Sequence, residues 1–248
     1  MVITELVCYL QQYLQVDKFQ DYCPNGLQVA GREDLKLLVS AVTASQQAIE
    51  LAIARRADAL LVHHGYFWKG EAQPIIGIKK QRLQRLLEHK INLLAYHLPL
   101  DAHPEVGNNA QLARLLGCSI EGYFAEQNLA CYGTLAQPCR LAYLCDHLEQ
   151  TLARKPCCIG DAQRSVKKIA WCSGGAPHFF ELAIAMGCDV YISGEASEPN
   201  YHAAIESGVA FIAAGHHATE RYGVQALGEH LAQRFGVQHH YVELENPF

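Results

Sequence analysis

Glu50-Leu51-Ala52-Ile53-Ala54 and Glu181-Leu182-Ala183-Ile184-Ala185 are one pentapeptide written twice, at an offset of 131 positions that also carries Asp58 onto Asp189. Each copy has helical period, and each leads into an apolar run of strand length, Ala57 to His63 in the first and Cys188 to Ser193 in the second. The first run ends at His63-His64 and the second at Gly194-Glu195. A further pair follows: Ile91 to Tyr96 runs into His97-x-x-x-Asp101, while Val209 to Gly215 runs into His216-x-x-x-Glu220. Both halves therefore end their second and third core strands in residues able to bind metal or move protons.

Outward from this repeat, strand-length apolar runs alternate with helical patterns, as in a parallel sheet covered by helices. Strands are expected at Lys36–Val42, Ala57–His63, Ile91–His97, Lys168–Cys172, Cys188–Ser193, Val209–Ala214 and Val237–Glu243. Helices are expected at Ile3–Leu14, Ser45–Arg55, Ile78–His89, Asn108–Leu116, Leu141–Leu152, Pro177–Met186, Glu198–Ser207 and Thr219–Phe235. Gly117, Gly187, Gly208 and Gly236 stand just past four of them, where a left-handed closing residue belongs. The less regular stretch from Gly122 to Ser165 reads as a crossing segment. The fold class is α/β: two similar halves with mostly parallel sheets flanked by helices, one over residues 1–125 completed by the C-terminal segment, the other over 126–248. In open α/β sheets sites form at the carboxyl ends of strands, so the four loops are expected to share a cleft between the halves.

Half of the 248 residues are hydrophobic, 18% are charged and the net charge is −5, which describes a globular chain rather than a disordered one. Lys and Arg are scattered in short clusters, so nucleic acid gains no electrostatic help. No stretch approaches the roughly 18 apolar residues of a membrane span, and the N-terminus lacks a signal-peptide pattern. A cytoplasmic protein is expected. The ten cysteines contain no C-x-x-C and read as free thiols, with Cys118, Cys172 and Cys188 in apolar runs as small core residues.

His63, His64, Asp101, His216 and Glu220 form a mixed nitrogen and oxygen donor set suited to iron, zinc, manganese or cobalt. Five protein ligands exceed what one catalytic tetrahedral ion takes but suit two divalent ions sharing a carboxylate and a water. Such pairs generate hydroxide at neutral pH, so hydrolysis at carbon or phosphorus is the natural chemistry. Neighbouring side chains on a strand diverge, so the strand must end near Gly65 for both imidazoles to serve such a site. Pro99 is expected to keep Asp101 on a loop, whereas His216 and Glu220 would share the first turn of the last helix. His97 and Glu195 stand beside these residues as candidate acid, base or orienting groups. The other histidines, His103, His147, His178, His202, His230 and His239-His240, read as structural or exposed. Tyr66-Phe67-Trp68-Lys69 admits two readings, an aromatic platform for a heterocycle with Lys69 at a phosphate, or a packed apolar loop.

Asn25-Gly26-Leu27-Gln28-Val29, Val62-His63-His64-Gly65-Tyr66-Phe67-Trp68-Lys69-Gly70, His97-Leu98-Pro99-Leu100-Asp101 and Gly215-His216-His217-Ala218-Thr219-Glu220 together closely resemble the GTP cyclohydrolase I type 2 homologues, also called Nif-three-like proteins. The resemblance spans nearly the whole chain. It implies a two-domain α/β subunit, a dinuclear metal site in the interdomain cleft, and a ring-shaped homohexamer built as a trimer of dimers. Carried over by motif, the family's ligands fall on His63, His64, Asp101, His216 and Glu220. Gly65 stands where many members have Pro, as in a shorter bacterial-type subgroup, and the chain has no room for the extra domain of longer relatives. The expected function is a metal-dependent hydrolase of a small molecule, a nucleotide or related heterocycle, with GTP ring opening as the named version. The alternative is a metal-bearing ring-shaped scaffold without significant turnover.

Overall fold

The computed structural model describes residues 1–248. Its strands are β1 (Gly26–Val29), β2 (Leu37–Thr43), β3 (Ala59–His64), β4 (Asn92–Ala95), β5 (Cys118–Phe124), β6 (Ala130–Arg140), β7 (Cys157–Ile159), β8 (Ser165–Cys172), β9 (Val190–Ser193), β10 (Ala210–Ala213) and β11 (Gln238–Tyr241). Its helices are α1 (Ile3–Tyr13), α2 (Gln46–Ala54), α3 (Gly77–His89), α4 (Leu98–Ala102), α5 (Asn108–Leu116), α6 (Leu141–Leu152), α7 (Phe180–Ala185), α8 (Glu198–Ser207) and α9 (His216–Phe235). The chain forms two compact units, residues 1–107 with 223–245, and residues 108–222 with 246–248. The division falls at residue 107 rather than near 125. The reason is that α5 buries Leu112, Ala113 and Leu116 in the second unit's core and β5 pairs within the second sheet.

The first unit holds a five-stranded sheet in the order β1-β4-β3-β2-β11. Four of these strands run parallel, and β1 joins the edge antiparallel to β4. Alternate residues of each strand point to opposite faces, and here both faces are covered. Val39, Leu60, Val62 and Leu93 pack against Ile49 and Ala52 of α2 and Leu83 and Leu86 of α3. Leu38, Ala59, Leu61 and Leu94 pack against Leu6 and Leu10 of α1 and Leu227 and Leu231 of α9.

The second unit holds a six-stranded sheet in the order β5-β6-β8-β9-β10-β7. Its parallel centre, β8-β9-β10, is extended by antiparallel strands on both sides. The stretch expected as a crossing segment is in fact β6, α6 and β7, all built into this unit. The four helix-closing glycines take left-handed backbone, at φ +62° for Gly117, +67° for Gly187, +70° for Gly208 and +69° for Gly236. One expectation about cysteine is corrected: Cys145 on α6 and Cys158 on β7 form a disulfide, and the other eight are free.

The sequence repeat is a repeat of hydrogen bonding. Asp58 Oδ2 accepts the backbone N–H groups of Lys36 (2.9 Å) and Leu37 (3.0 Å), and Asp189 Oδ2 accepts those of Lys167 and Lys168 (both 2.9 Å). The equivalent carboxylate thus pins a neighbouring strand in each unit, the start of β2 in the first and the third and fourth residues of β8 in the second. Burial raises the Asp58 carboxyl, but the backbone donors and Arg32 outweigh it and hold it below the ordinary carboxylate range. No helix is long and apolar enough to cross a membrane.

Candidate metal centre

In the first unit the donors gather where β3 and β4 end. Strand β3 stops at His64, which lets both neighbouring imidazoles turn to one side, with ring centroids 4.6 Å apart. His63 is fully buried, and its Nδ1 lies 2.9 Å from the backbone carbonyl of Tyr96. A carbonyl only accepts, so Nδ1 carries the proton and Nε2 presents its lone pair. That Nε2 lies 3.5 Å from Asp101 Oδ2. His64 Nδ1 is 3.2 Å from the Thr43 hydroxyl. Asp101 lies not on a loop but in the first turn of α4, because Pro99 falls at the helix start, where its missing N–H costs nothing.

His97 caps this helix. Ring nitrogens of His63, His64 and His97 all lie within 4.8 Å of one another. Asp21 holds the other side of His97, with Oδ1 2.7 Å from Nδ1. Trp68 closes edge-on to His97 at a centroid distance of 5.0 Å and stands 6.0 Å from His64. In the aromatic loop Tyr66 is buried with its hydroxyl on the Ala44 carbonyl, Trp68 flanks the histidines, and Lys69 is exposed.

In the second unit Glu195 follows β9 and His216 opens α9, so His216 and Glu220 share the helix's first turn as expected. His216 Nδ1 lies 2.6 Å from Glu195 Oε1, and Nε2 lies 3.3 Å from Glu220 Oε2 one turn along the helix. Glu220 is buried and Glu195 is exposed. Burial alone would lower the His216 imidazole, but Glu220 and then Glu195 outweigh it and lift it to about 9. Gly174 and Gly175 pass close by: a Cβ at Gly174 would stand 2.2 Å from Glu220 Oε1, so only glycine admits this carboxylate. Arg221 is turned to the Leu152 carbonyl within its own unit.

The donor chemistry fits a divalent cation. Two ligand atoms each about 2.0–2.1 Å from one tetrahedral ion stand roughly 3.3 Å apart, and the His63–Asp101 and His216–Glu220 pairs are at 3.5 and 3.3 Å. In both pairs the histidine's Nδ1 is tied to an acceptor, the arrangement by which metal-binding imidazoles are oriented. Sequence reasoning missed Asp21, Thr43, Gly174 and Gly175; Thr43 and Gly174 stand at the repeat's own offset of 131, at the end of β2 and just past the end of β8, but share no residue type that would mark them. A short polar residue ahead of the Asn25-Gly26 motif was the only signal for Asp21.

Two α/β units that each gather imidazoles and carboxylates at the ends of their strands define a class, repeated-unit proteins with potential metal-binding clusters. The chain belongs to the Duf34/NIF3 (NGG1p interacting factor 3) family, whose model matches residues 1–247. It is 54% identical over 223 residues, covering 90% of each chain, to a Neisseria meningitidis serogroup B protein named GTP cyclohydrolase 1 type 2 homolog. It is 50% identical to a Pseudomonas aeruginosa protein of the same name, covering 100% of this chain and 99% of that one. Among solved structures it is similar to ybgI, a protein of unknown function, at 45% identity and a TM-score of 0.97 with full coverage of both chains. A Thermus thermophilus protein is 36% identical with a TM-score of 0.90, again with both chains covered in full.

Proposed function

We propose that this chain is a metal-dependent hydrolase of nucleotides or related heterocycles that works in the cytoplasm as a homo-oligomer. His63, His64 and Asp101 of the first unit and His216 and Glu220 of the second would hold two divalent ions, iron, zinc, manganese or cobalt. The observation that carries the reading is the paired spacing of His63 with Asp101 and His216 with Glu220, each histidine with Nδ1 already engaged. Bound ions would supply Lewis-acid polarisation of the scissile bond and make water more acidic.

The chain's own residues supply the rest. His97, beside His63 and His64, would take a proton from the attacking water; the leaving nitrogen or oxygen takes one back as its bond breaks. Glu195 would fix His216, since its Oε1 lies on Nδ1. Trp68 gives a planar ring a surface beside the histidines, which supports a heterocyclic substrate, and GTP is the first candidate from the relatives' name. Exposed Ile75, Ile76 and Ile78 support self-association.

The test is bound metal per subunit by elemental analysis on untagged protein, comparing the native chain with His63→Ala and Glu220→Ala. About two ions in the native chain, falling sharply in both variants, is the expected result, followed by a screen of GTP and other nucleotides with each metal. Native protein that carries no metal and takes none on reconstitution would sink the reading.

A further inference from the structure

The Asp21 carboxylate sits in a ring of donors. Oδ2 accepts the Asn25 side-chain amide at 2.8 Å and the Leu98 backbone N–H at 3.0 Å. Oδ1 accepts the Tyr22 N–H at 2.6 Å and faces His97 Nδ1 at 2.7 Å. A carboxylate has about four lone-pair positions, and these four partners use them all. Asn25 completes the frame, because its Oδ1 accepts the His97 backbone N–H at 2.7 Å while its amide donates to Asp21. The imidazole and the backbone that carries it are thus fixed by one Asp-Asn pair, more than seventy positions earlier in the chain.

We propose that Asp21 is a positioning residue that holds His97 as the Nδ1–H tautomer, leaving the Nε2 lone pair to accept the proton from water during hydrolysis. The assignment rests on the hydrolase reading for its chemistry but on geometry for its content. An ionised carboxylate with no proton of its own can meet Nδ1 only if Nδ1 donates. The ring is then turned so that Nε2 is the nitrogen the carboxylate does not engage, and His63 and His64 lie beside that ring at centroid distances of 5.1 and 5.7 Å.

A competing use of the same atoms is a further metal site, since Asp21, Cys23 and His97 have ligand atoms within 4.8 Å of one another. Two features oppose it. The carboxylate has no lone pair to spare, and Cys23 is buried, with burial and then Asp21 pushing its thiol up to about 12, so that it stays a thiol.

Asp21→Asn separates the two roles an aspartate can have here. An NH2 in the Oδ2 place would face two donors, Leu98 N–H and Asn25 Nδ2, and in the Oδ1 place only one, Tyr22 N–H, so the new carbonyl takes the Oδ2 side and the NH2 turns to His97. It then donates to Nδ1 and drives the ring proton to Nε2, the wrong tautomer for a base. The experiment is long-range proton–nitrogen correlation NMR on full-length, zinc-loaded protein labelled with 15N-histidine, with His97 assigned by the signal lost in His97→Gln. The native chain should show His97 neutral with the proton on Nδ1. Asp21→Asn should invert it with zinc content unchanged, and should cut GTP consumption by about 10²–10⁴-fold. Native His97 protonated on Nε2, or a spectrum of Asp21→Asn that keeps the native tautomer, overturns the assignment. The native spectrum decides even if the variant fails to fold. No GTP consumption by a native chain with the Nδ1–H tautomer, across the nucleotide screen, removes the hydrolase reading and with it the base role, but leaves Asp21 as the residue that sets the tautomer.

Discussion

Replacing Gly174 by alanine should disable the second unit's donor pair without touching a proposed ligand. The added Cβ would lie 2.2 Å from Glu220 Oε1, 3.2 Å from its Cδ and 3.3 Å from His216 Nε2. Ordinary contact begins near 3.4 Å, so the carboxylate must retreat by more than about 1 Å. Glu220 is 2% exposed and rooted in the first turn of α9, so it has little room to swing. Gly174 also has φ +65°, which costs an L-residue about 1–2 kcal/mol. The expected result is a loss of about 1–3 kcal/mol in urea unfolding and zinc affinity weakened about 10–100-fold, read by competition with a chromophoric chelator. Gly175→Ala is the matched control: its Cβ would stand 3.3 Å from Glu195 Oε2 and its backbone is not left-handed, so both readouts should stay near native. Native zinc affinity in Gly174→Ala would show that Glu220 is not a ligand. Equal damage from both variants would refute the distance argument itself.

Other expectations test the frame around the site. Asp58→Asn and Asp189→Asn should each cost about 1–2 kcal/mol in chemical unfolding, because each removes one charged acceptor from two backbone N–H groups of a neighbouring strand; a large effect in only one would mean the repeat is not mechanically equivalent. Gly228→Ala in α9 would ordinarily gain about 1 kcal/mol, but its Cβ would stand 2.1 Å from His239 Nε2 and break that ring's 2.8 Å contact with Ser40 Oγ, so a net loss is expected and a gain would count against the packing. Burial, then His240, pushes the His239 imidazole down to about 4, so the folded state holds it neutral. The unfolded chain protonates it near 6.5, so its contribution is full above that pH and is lost as pH falls from about 6.5 to 4. After allowance for its partial exposure the loss is about 1–2 kcal/mol, and a His239→Gln chain should show a flatter dependence of urea midpoint on pH across that window.

Much of the architecture could be read from the chain because parallel strands buried on both faces are nearly continuous apolar runs. Val39, Leu60 and Leu93 announce themselves without reference to any partner. Strands that rely on a partner did not: Cys118–Phe124 alternates half-buried with exposed residues, and Gly26–Val29 is only four residues long at a sheet edge. Their strand character comes from the ladder beside them, which local periodicity does not contain.

The same distinction runs through the site. Sequence alone placed His63, His64, His97 and Asp101 after strands of one half, and Glu195, His216 and Glu220 after strands of the other, because the repeat marks equivalent strand ends. Only the tertiary structure decided which nitrogen of each imidazole is engaged. His63 is oriented by the carbonyl of Tyr96, 33 positions away, His97 by Asp21, 76 positions away, and His216 by Glu195, 21 positions away. A ring's tautomer is set by the acceptor that packing brings to Nδ1, and that acceptor is fixed by strand order and helix start, which belong to the folded chain and to no single stretch of sequence.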